Sequence, residues 1–287
     1  MTDLGARHER TLTWPVAVAR RAYRAVSRRL LDPSRLKLRQ VENRGLQLLV
    51  WQNEDIGRRL ILLNRFEDAE LDFVLGVVNP GDTCIDVGAN IGYFALPLAR
   101  ACGETGSVLC FEPLRRNVLT IRLAAELNHF SNIEVVEAAA VDSSRSLTID
   151  VSDADSAYAH VAASNGARKG VVVSGVTLDE MVSARRMNRI KFMKIDVEGA
   201  ENIVLAGAVR LFANPSLRPE FMMIELVPSH LARFGTTIEA LVARLAVYEY
   251  APFVLIGDRL RPLEQADHGQ LINTFFLGHH MRARLSL

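Results

Sequence analysis

A short apolar strand that runs into a glycine turn constrains this chain more than any other feature. Residues 84–92 read Cys-Ile-Asp-Val-Gly-Ala-Asn-Ile-Gly, and an apolar, helix-competent run follows at 93–101. Glycine lets the backbone turn sharply and lets a ligand touch the main chain. A strand, a glycine turn and a helix in this order are typical of the nucleotide-binding corner of a doubly wound α/β sheet.

The spacing of the glycines argues against a dinucleotide at this turn. A dinucleotide fingerprint has three glycines, G-x-G-x-x-G, whereas Gly88 and Gly92 are four residues apart and Tyr93 takes the place of the third. Asp86 ends the strand, where it would repel a pyrophosphate and attract a cation. S-adenosylmethionine carries an ammonium and a sulfonium but no phosphate, so it fits Asp86 better.

The second predicted strand ends in another carboxylate. Residues 108–113 read Val-Leu-Cys-Phe-Glu-Pro, and Glu112 lies twenty residues after Gly92. An acidic residue at that position can accept both hydrogens of a ribose diol, which an adenosyl group offers. The two segments together predict a site for S-adenosylmethionine. The competing interpretation is an ordinary α/β domain with a tight turn and a solvated glutamate.

The composition is that of a globular chain with one large domain or one domain and an appendage. Of 287 residues, 49% are hydrophobic and 23% are charged. No apolar run approaches the roughly eighteen residues of a spanning helix, and the polar start of the chain is unlike a secretory signal. Cys84, Cys102 and Cys110 fall in predicted core elements without zinc spacing, so we expect reduced thiols and a cytoplasmic location.

Charge is distributed unevenly along the chain. Residues 1–40 hold ten Arg or Lys and three Asp or Glu, a balance of +7, which leaves −6 on the remainder. The acidic remainder argues against a nucleic-acid substrate, for which a basic face is expected. Residues 13–31 predict a basic amphipathic helix that suits peripheral contact with an anionic membrane. Its apolar face is narrow and contains alanine, so packing on the domain is the favoured interpretation.

The patterns divide the chain into two parts. Residues 1–65 are expected to form an N-terminal extension, made of the basic helix and a β-hairpin of residues 45–51 and 58–63. Residues 66–287 alternate between short apolar strands and helical runs. Such alternation predicts a mostly parallel sheet with helices on both faces.

Two departures from the alternation are informative. After a third strand predicted at 133–141, residues 142–176 contain extra strand patterns around a polar loop. This insertion follows the carboxyl end of a strand, where ligands bind, so we expect a hairpin that acts as a substrate lid. The last strand, at 274–277, follows the sixth without a helical pattern and is expected to pair antiparallel.

Four motifs, taken in order, resemble those of the FkbM family of S-adenosylmethionine-dependent methyltransferases. They are residues 86–92, Phe111-Glu-Pro113, Thr177-Leu-Asp179 and Lys194-Ile-Asp-Val-Glu-Gly-Ala-Glu201. The likeness extends over about half the chain, from residue 79 to residue 226. It implies a class I methyltransferase fold, which is Rossmann-like and has seven strands. It also implies O-methylation of a hydroxyl on a sugar, a glycolipid or a secondary metabolite.

The resemblance also implies which residues surround the methyl donor. Those expected around the methionine end of S-adenosylmethionine are Asp86, Gly88, Asn90, Gly92 and Tyr93. Glu112 would accept the ribose hydroxyls. At the end of the third strand, Ala140 would flank the adenine, and Asp142 is the nearest residue that can accept a hydrogen bond from its amino group.

The fourth predicted strand brings three charged residues to the mouth of the site. Lys194, Asp196 and Glu198 alternate, so they share one side if the strand persists that far. If these three residues have only a structural role, Lys194 pairs with a carboxylate and Glu201 caps the next helix. Their functional interpretation makes Glu198 the group that orients or deprotonates the acceptor, with Asp196 beside it. His230, in a loop after Pro228, is a second candidate base.

Several alternatives remain open at this point. The carboxylates are compatible with Mg²⁺, although the spacing does not require a metal. A nucleobase N-methyltransferase is expected to carry an Asn-Pro-Pro-Tyr-like segment after the fourth strand, where this chain has Asp196-Val-Glu-Gly. The alternative that is not an enzyme is a catalytically silent protein with the methyltransferase fold, docked to a glycan or natural-product biosynthetic complex. The sequence indicates neither the methyl acceptor nor an oligomeric state.

Overall fold

The computed structural model describes residues 37–152, 155–161, 170–269 and 272–287. The basic helix predicted over residues 13–31 lies outside this part of the chain. The strands are β1 (Leu38–Asn43), β2 (Leu46–Trp51), β3 (Thr83–Val87), β4 (Ser107–Phe111), β5 (Ile133–Val136), β6 (Ala139–Ala140), β7 (Arg145–Ser152), β8 (Asp155–Val161), β9 (Gly170–Val176), β10 (Phe192–Ile195), β11 (Phe221–Leu226), β12 (Ala251–Ile256), β13 (Arg259–Pro262) and β14 (Ile272–Leu277). The α-helices are α1 (Asp55–Leu63), α2 (Asp68–Leu75), α3 (Ala95–Cys102), α4 (Arg115–Leu127), α5 (Leu178–Ala184), α6 (Glu201–Ala206), α7 (Val209–Ala213), α8 (Pro228–Arg233), α9 (Ile238–Ala246) and α10 (His279–Leu285).

Eight of the described strands form the central sheet, in the order β13-β12-β14-β11-β10-β3-β4-β5. The pairs from β5 to β11 are parallel, and β14 lies antiparallel between β11 and β12. The predicted class I methyltransferase fold, with its antiparallel last strand, is therefore confirmed. The eighth strand, β13, turns back antiparallel onto the edge of β12 and extends the expected seven.

The central strands are apolar on both sides because helices cover both faces of the sheet. In β4, Val108 and Cys110 face one hydrophobic cluster, while Leu109 and Phe111 face the other. Helices α1 to α4 and strand β2 contribute to the first cluster, and α5 to α9 contribute to the second. Burial on both faces explains why these strands read as continuous apolar runs.

The hairpin predicted from residues 45–51 and 58–63 is wrong, because the strand in residues 45–51 pairs with the strand before it. Strand β2 pairs with β1, which precedes it, through a turn at Arg44 and Gly45. Both turn residues have positive φ, 54° and 71°, as a tight two-residue hairpin turn requires. Residues 58–63 instead lie in α1, where Asp55 pairs with Arg59 one turn later.

The third predicted strand, residues 133–141, is broken in the structure. Only β5 belongs to the central sheet. The chain leaves the sheet after Val136, and β6 pairs with β9 in a second sheet of order β6-β9-β7-β8. The extra strands predicted within residues 142–176 correspond to β7 and β9, and β8 adds a third. The role of this insertion as a lid stays a prediction.

Two expectations from composition can be compared with the structure. None of the described helices combines the length and apolarity needed to cross a bilayer. Cys84, Cys102 and Cys110 are buried free thiols, as predicted, with the Sγ atoms of Cys84 and Cys102 3.7 Å apart.

Candidate active site

The carboxyl ends of β4, β3, β10 and β11 meet at one edge of the sheet because these four neighbouring strands are parallel. Strand β3 has β4 on one side and β10 on the other, so the chain changes direction across the sheet at β3. A crevice opens at such a switch point, where ligands of open α/β sheets bind. The predicted site residues at the ends of β3, β4 and β10 lie at this edge.

The glycine turn after β3 lies against both neighbouring strands. Gly88 has φ +84°, and a Cβ on it would lie 1.8 Å from the backbone oxygen of Asp196. Only glycine allows this approach of β3 to the end of β10. On the other side, the amides of Gly88 and Ala89 donate to the carbonyl oxygen of Phe111, at 2.9 and 3.1 Å. The ends of β3, β4 and β10 are thereby fixed relative to one another.

Glu112 lies just past the end of β4, with its carboxylate held by backbone amides. Asn90 N donates to Oε2 at 2.9 Å, and Leu114 N donates to Oε1 at 2.8 Å. Burial raises the pKa of Glu112 to about 8, although these two amides favour the ionised form. Each carboxylate oxygen can accept a second hydrogen bond. The Asn117 side chain is a third hydrogen-bond partner of Glu112. The glycine turn and Glu112 therefore form one connected unit, with part of the acceptor capacity of the carboxylate already used.

Asp86 is a buried carboxylate without a well-aligned hydrogen bond from the residues that the structure describes. Its side chain is 1% exposed, and neither oxygen has an aligned donor among the described residues. Burial raises the pKa of Asp86 to about 6, while the nearby Lys194 lowers it. Buried polar groups are nearly always satisfied, so this carboxylate suits a ligand that brings a positive charge or a donor. The ammonium of S-adenosylmethionine meets that requirement.

Tyr93 and Asn90 flank the same turn. Tyr93 donates its hydroxyl to Asp68 Oδ1 at 2.9 Å and meets Phe66 edge to face, with ring centroids 5.3 Å apart. Tyr93 thus fastens the segment before α2 against the crevice. Asn90 has φ +51°, and its Oδ1 is buried without an aligned partner among the described residues. A non-glycine residue in this conformation is costly and is often found at binding sites.

Lys194 places one positive charge at the centre of the crevice. Its side chain is buried, Nζ donates to Asp196 Oδ2 at 2.7 Å, and it lies 5.1 Å from the Phe94 ring centroid. In the β10–β3 register Lys194 is directly opposite Asp86. Burial disfavours its charged form, but Asp196, Asp86 and Glu67 raise the pKa of Lys194 above its ordinary value. The Lys-to-carboxylate pair of the structural interpretation is therefore present, inside the crevice.

Glu198 and His230 are brought together at the mouth of the crevice. His230 lies in α8, where the sequence predicted a loop, and its Nδ1 is 2.9 Å from Glu198 Oε2. The distance is that of an ion pair, but the angle is not that of a hydrogen bond. Gly199 makes the approach possible, because a Cβ there would lie 2.5 Å from the backbone oxygen of His230. Both predicted candidate bases thus belong to one arrangement.

Two further carboxylates line the crevice, and the sequence did not identify them as site residues. Glu225 is the penultimate residue of β11, and burial raises its pKa to about 10, with the charges of Asp196 and Glu198 adding to the effect. Glu67 precedes α2 with φ +44°, and burial raises its pKa to about 7. The position of Glu225 near the carboxyl end of an apolar strand was an available signal. Glu67 gave none, because tertiary contacts set its position.

The other predicted residues lie around this centre. Glu201 accepts hydrogen bonds from the amides of Gly199 and Val197, at 3.0 and 3.4 Å, so it stabilises the turn after β10. Ala140 is buried in β6, and Asp142 forms an exposed ion pair with Arg145 at the start of the inserted sheet. Their contact with adenine stays a prediction, since both residues lie beyond the break that ends β5.

Comparison with known proteins supplies the family. Residues 86–252, more than half of the chain, match the profile described as the Methyltransferase FkbM domain. Among curated proteins none matches the chain.

Solved structures give distant likenesses. A SAM-dependent O-methyltransferase from Thermotoga maritima is 12% identical, with 84% of this chain and 77% of that chain covered and a TM-score of 0.40. TYW2 of M. jannaschii, solved in complex with AdoMet, is 11% identical, with coverages of 85% and 86% and a TM-score of 0.43. A SAM-dependent methyltransferase from Aquifex aeolicus is 12% identical, with coverages of 76% and 90% and a TM-score of 0.40. Such low TM-scores carry no weight for the activity of this chain.

The matched segment begins at Asp86 and contains Glu112, Lys194 and Glu198, so it includes the motifs on which the resemblance was based. The chain belongs to the FkbM methyltransferase family.

Proposed function

We propose that this methyltransferase transfers the methyl group of S-adenosylmethionine to a hydroxyl group on a sugar, a glycolipid or a secondary metabolite. The observation that carries the proposal is the pairing of two distinct subsites at one edge of the sheet. Asp86 and Glu112 form the first subsite, and Glu198 and His230 form the second, on the far side of the glycine turn.

The first subsite suits the donor. Asp86 offers a buried carboxylate to the ammonium, and Glu112 offers its remaining acceptor positions to the ribose hydroxyls. Gly88 and Gly92, both with φ +84°, let the turn pack against Asp196 and Ile121, which fixes the backbone that would meet the donor. When bound, S-adenosylmethionine supplies an activated methyl group, so the protein must mainly hold and align the nucleophile.

The second subsite suits a hydroxyl acceptor. A hydroxyl loses its proton on methylation, so a base must lie within hydrogen-bond reach of it. Glu198 and His230 provide a carboxylate and an imidazole 2.9 Å apart at the mouth of the crevice. Lys194 keeps Asp196 in place beside them through its 2.7 Å hydrogen bond.

The charge of the second subsite argues for a sugar or metabolite acceptor over a nucleic acid. Asp196 and Glu198 both lie there, with Lys194 as the buried positive charge near them. Carboxylates repel the phosphate backbone, whereas a nucleic-acid site gains its affinity from Lys and Arg contacts to phosphates. We also place the protein in the cytoplasm, because its three buried thiols fit a reducing compartment.

A labelling experiment tests this function. The full chain is incubated with methyl-labelled S-adenosylmethionine and cell extract, and labelled products are identified by mass spectrometry. We expect label on a hydroxyl oxygen, and we expect Glu198→Gln to lower turnover by about 10²-fold while the affinity for S-adenosylmethionine changes less than about twofold.

Glu239→Gln is the matched control. Glu239 Oε1, on α9, lies 2.7 Å from Nδ1 of His268, which is in the short 3-10 helix after β13. These residues form a similar Glu–His pair that belongs to neither subsite, so we expect full activity from this variant. Label on nucleic acid or on nitrogen would contradict the proposal. Absence of both S-adenosylmethionine binding and product would identify the chain as a silent member of the family.

A further inference from the structure

The second subsite contains a group of metal-ligand atoms that the general-base role leaves unexplained. One ligand atom from each of Glu198, Glu225 and His230 lies within 4.8 Å of those of the other two. Within the described residues, no other three His, Cys, Asp or Glu side chains have this spacing. The three residues come from different elements, the turn after β10, the end of β11 and α8, so the fold brings them together.

The spacing is that of ligands around one cation. Metal–ligand bonds to carboxylate oxygen or imidazole nitrogen are about 2.0 to 2.6 Å long, so two ligands on opposite sides of an ion are about 4 to 5 Å apart. The ligand atoms of Glu198, Glu225 and His230 lie within 4.8 Å of one another, so none is too far apart to share one ion. The 2.9 Å between Glu198 Oε2 and His230 Nδ1 is close to the separation of about 3 Å expected for two neighbouring ligands at right angles around such an ion. A cation could bind there with little movement of the backbone.

The hydrogen bonding around these side chains also favours a ligand between them. Nδ1 of His230 is buried and has no aligned hydrogen bond among the described residues, although it lies beside Glu198. Glu225 lies near both Glu198 and Asp196, and the hydrogen bond of the nearby Lys194 goes to Asp196. Two carboxylates and an imidazole, whose Nδ1 makes no aligned hydrogen bond, therefore lie close together, and this is a ligand set that metal ions bind.

We propose that Glu198, Glu225 and His230 bind a divalent first-row metal ion at the acceptor subsite. A set of one nitrogen and two carboxylate oxygens favours such an ion over Mg²⁺ or Ca²⁺, which prefer all-oxygen ligands. The three protein ligands leave coordination positions open, as in catalytic metal sites. This inference rests on the proposed function, because the open positions would receive the hydroxyl oxygen of the acceptor and lower its pKa.

Mn²⁺ is the probe, since it can be followed by calorimetry and by electron paramagnetic resonance without any acceptor. The full chain is first dialysed against EDTA. We expect one Mn²⁺ to bind per chain, and we expect Glu225→Gln and His230→Ala to weaken that binding at least about tenfold each. Glu225→Gln replaces a half-buried carboxylate with a near-isosteric amide, so this variant should remain folded.

Glu239→Gln and His268→Ala are the matched controls, because they disrupt a Glu–His pair that has no third ligand. We expect both to bind Mn²⁺ as the wild type does. Absence of saturable Mn²⁺ binding by the wild type would overturn the inference, as would equal binding by the wild type and the Glu225 and His230 variants.

The labelling assay separates this inference from the proposed function. Undiminished methyl transfer after EDTA dialysis, together with absence of Mn²⁺ binding, would overturn the metal site and leave the proposed function standing. Absence of a methylated hydroxyl with and without Mn²⁺ would overturn the proposed function, and the binding measurements would still decide whether the metal site exists.

Discussion

Replacement of Lys194 by Met is expected to destabilise the protein by about 3 to 5 kcal/mol at pH 8. The ammonium of Lys194 is buried, donates to Asp196 and faces Asp86 across the β10–β3 pair, with Glu67 also nearby. Met retains much of the volume but removes the charge. The remaining carboxylates would then be buried and close together without compensation, which costs much more than the net contribution of an intact ion pair.

The loss should depend on pH. Burial raises the pKa of Asp86 to about 6 and that of Glu67 to about 7, so a larger share of both is protonated near pH 5 and the Lys194→Met variant should recover part of its deficit. Urea denaturation at pH 5.5 and pH 8 measures both values. An equal loss at the two pH values would show that Lys194 stabilises the protein by packing and not by charge.

Lys191→Met is the control for this experiment. Lys191 immediately precedes β10 and is also buried, and its Nζ lies 2.5 Å from Glu220 Oε2. Glu220 keeps a second partner, Arg189, and is partly exposed. We therefore expect this variant to lose less stability than Lys194→Met and to bind S-adenosylmethionine normally.

The cofactor-free protein is expected to be less stable at pH 8 than at pH 5.5, by about 2 to 4 kcal/mol. Burial raises the pKa of Glu112 to about 8, that of Glu67 to about 7 and that of Asp86 to about 6. A carboxyl group with a raised pKa binds its proton more tightly in the folded state. Its contribution is full below its unfolded pKa and is lost as the pH rises through the folded value.

For these three groups the window of the effect is about pH 4 to 8, and Glu225, with a pKa raised to about 10, extends the loss of stability above it. Thermal unfolding across that range should show Tm falling by about 5 to 10 °C towards pH 8. Glu112→Gln should flatten the profile, because it removes the group whose folded pKa lies at the top of the window. A Tm that is constant or rises between pH 5.5 and pH 8 would contradict the burial of these charges.

The sequence predicted those parts of the site that depend on short-range patterns. Asp86 and Glu112 each end a short apolar strand, and the parallel sheet places such ends at one edge. Lys194, Asp196 and Glu198 follow from the same reasoning on the fourth strand of the core. These positions need only the strand period and the order of elements, which a sequence carries locally.

The features that the sequence missed depend on tertiary contacts. The partner of β2 is decided by a turn at Arg44 and Gly45, whose positive φ values are not encoded by a strong turn motif. The break after Val136 reflects pairing of β6 with β9, which is more than thirty residues away in the chain. Glu67 reaches the crevice only because Tyr93 and Asp68 hold its segment there. No local pattern signals contacts of this kind.

The most direct test of the central claim is the affinity for S-adenosylmethionine, measured by isothermal titration calorimetry on the full chain. If Asp86 and Glu112 hold the donor, Asp86→Asn and Glu112→Gln will each weaken binding at least about tenfold. Glu137→Gln, which changes an Arg115-paired carboxylate near the end of β5, should bind as the wild type does. Wild-type affinity in both the Asp86 and the Glu112 variant would contradict the claim.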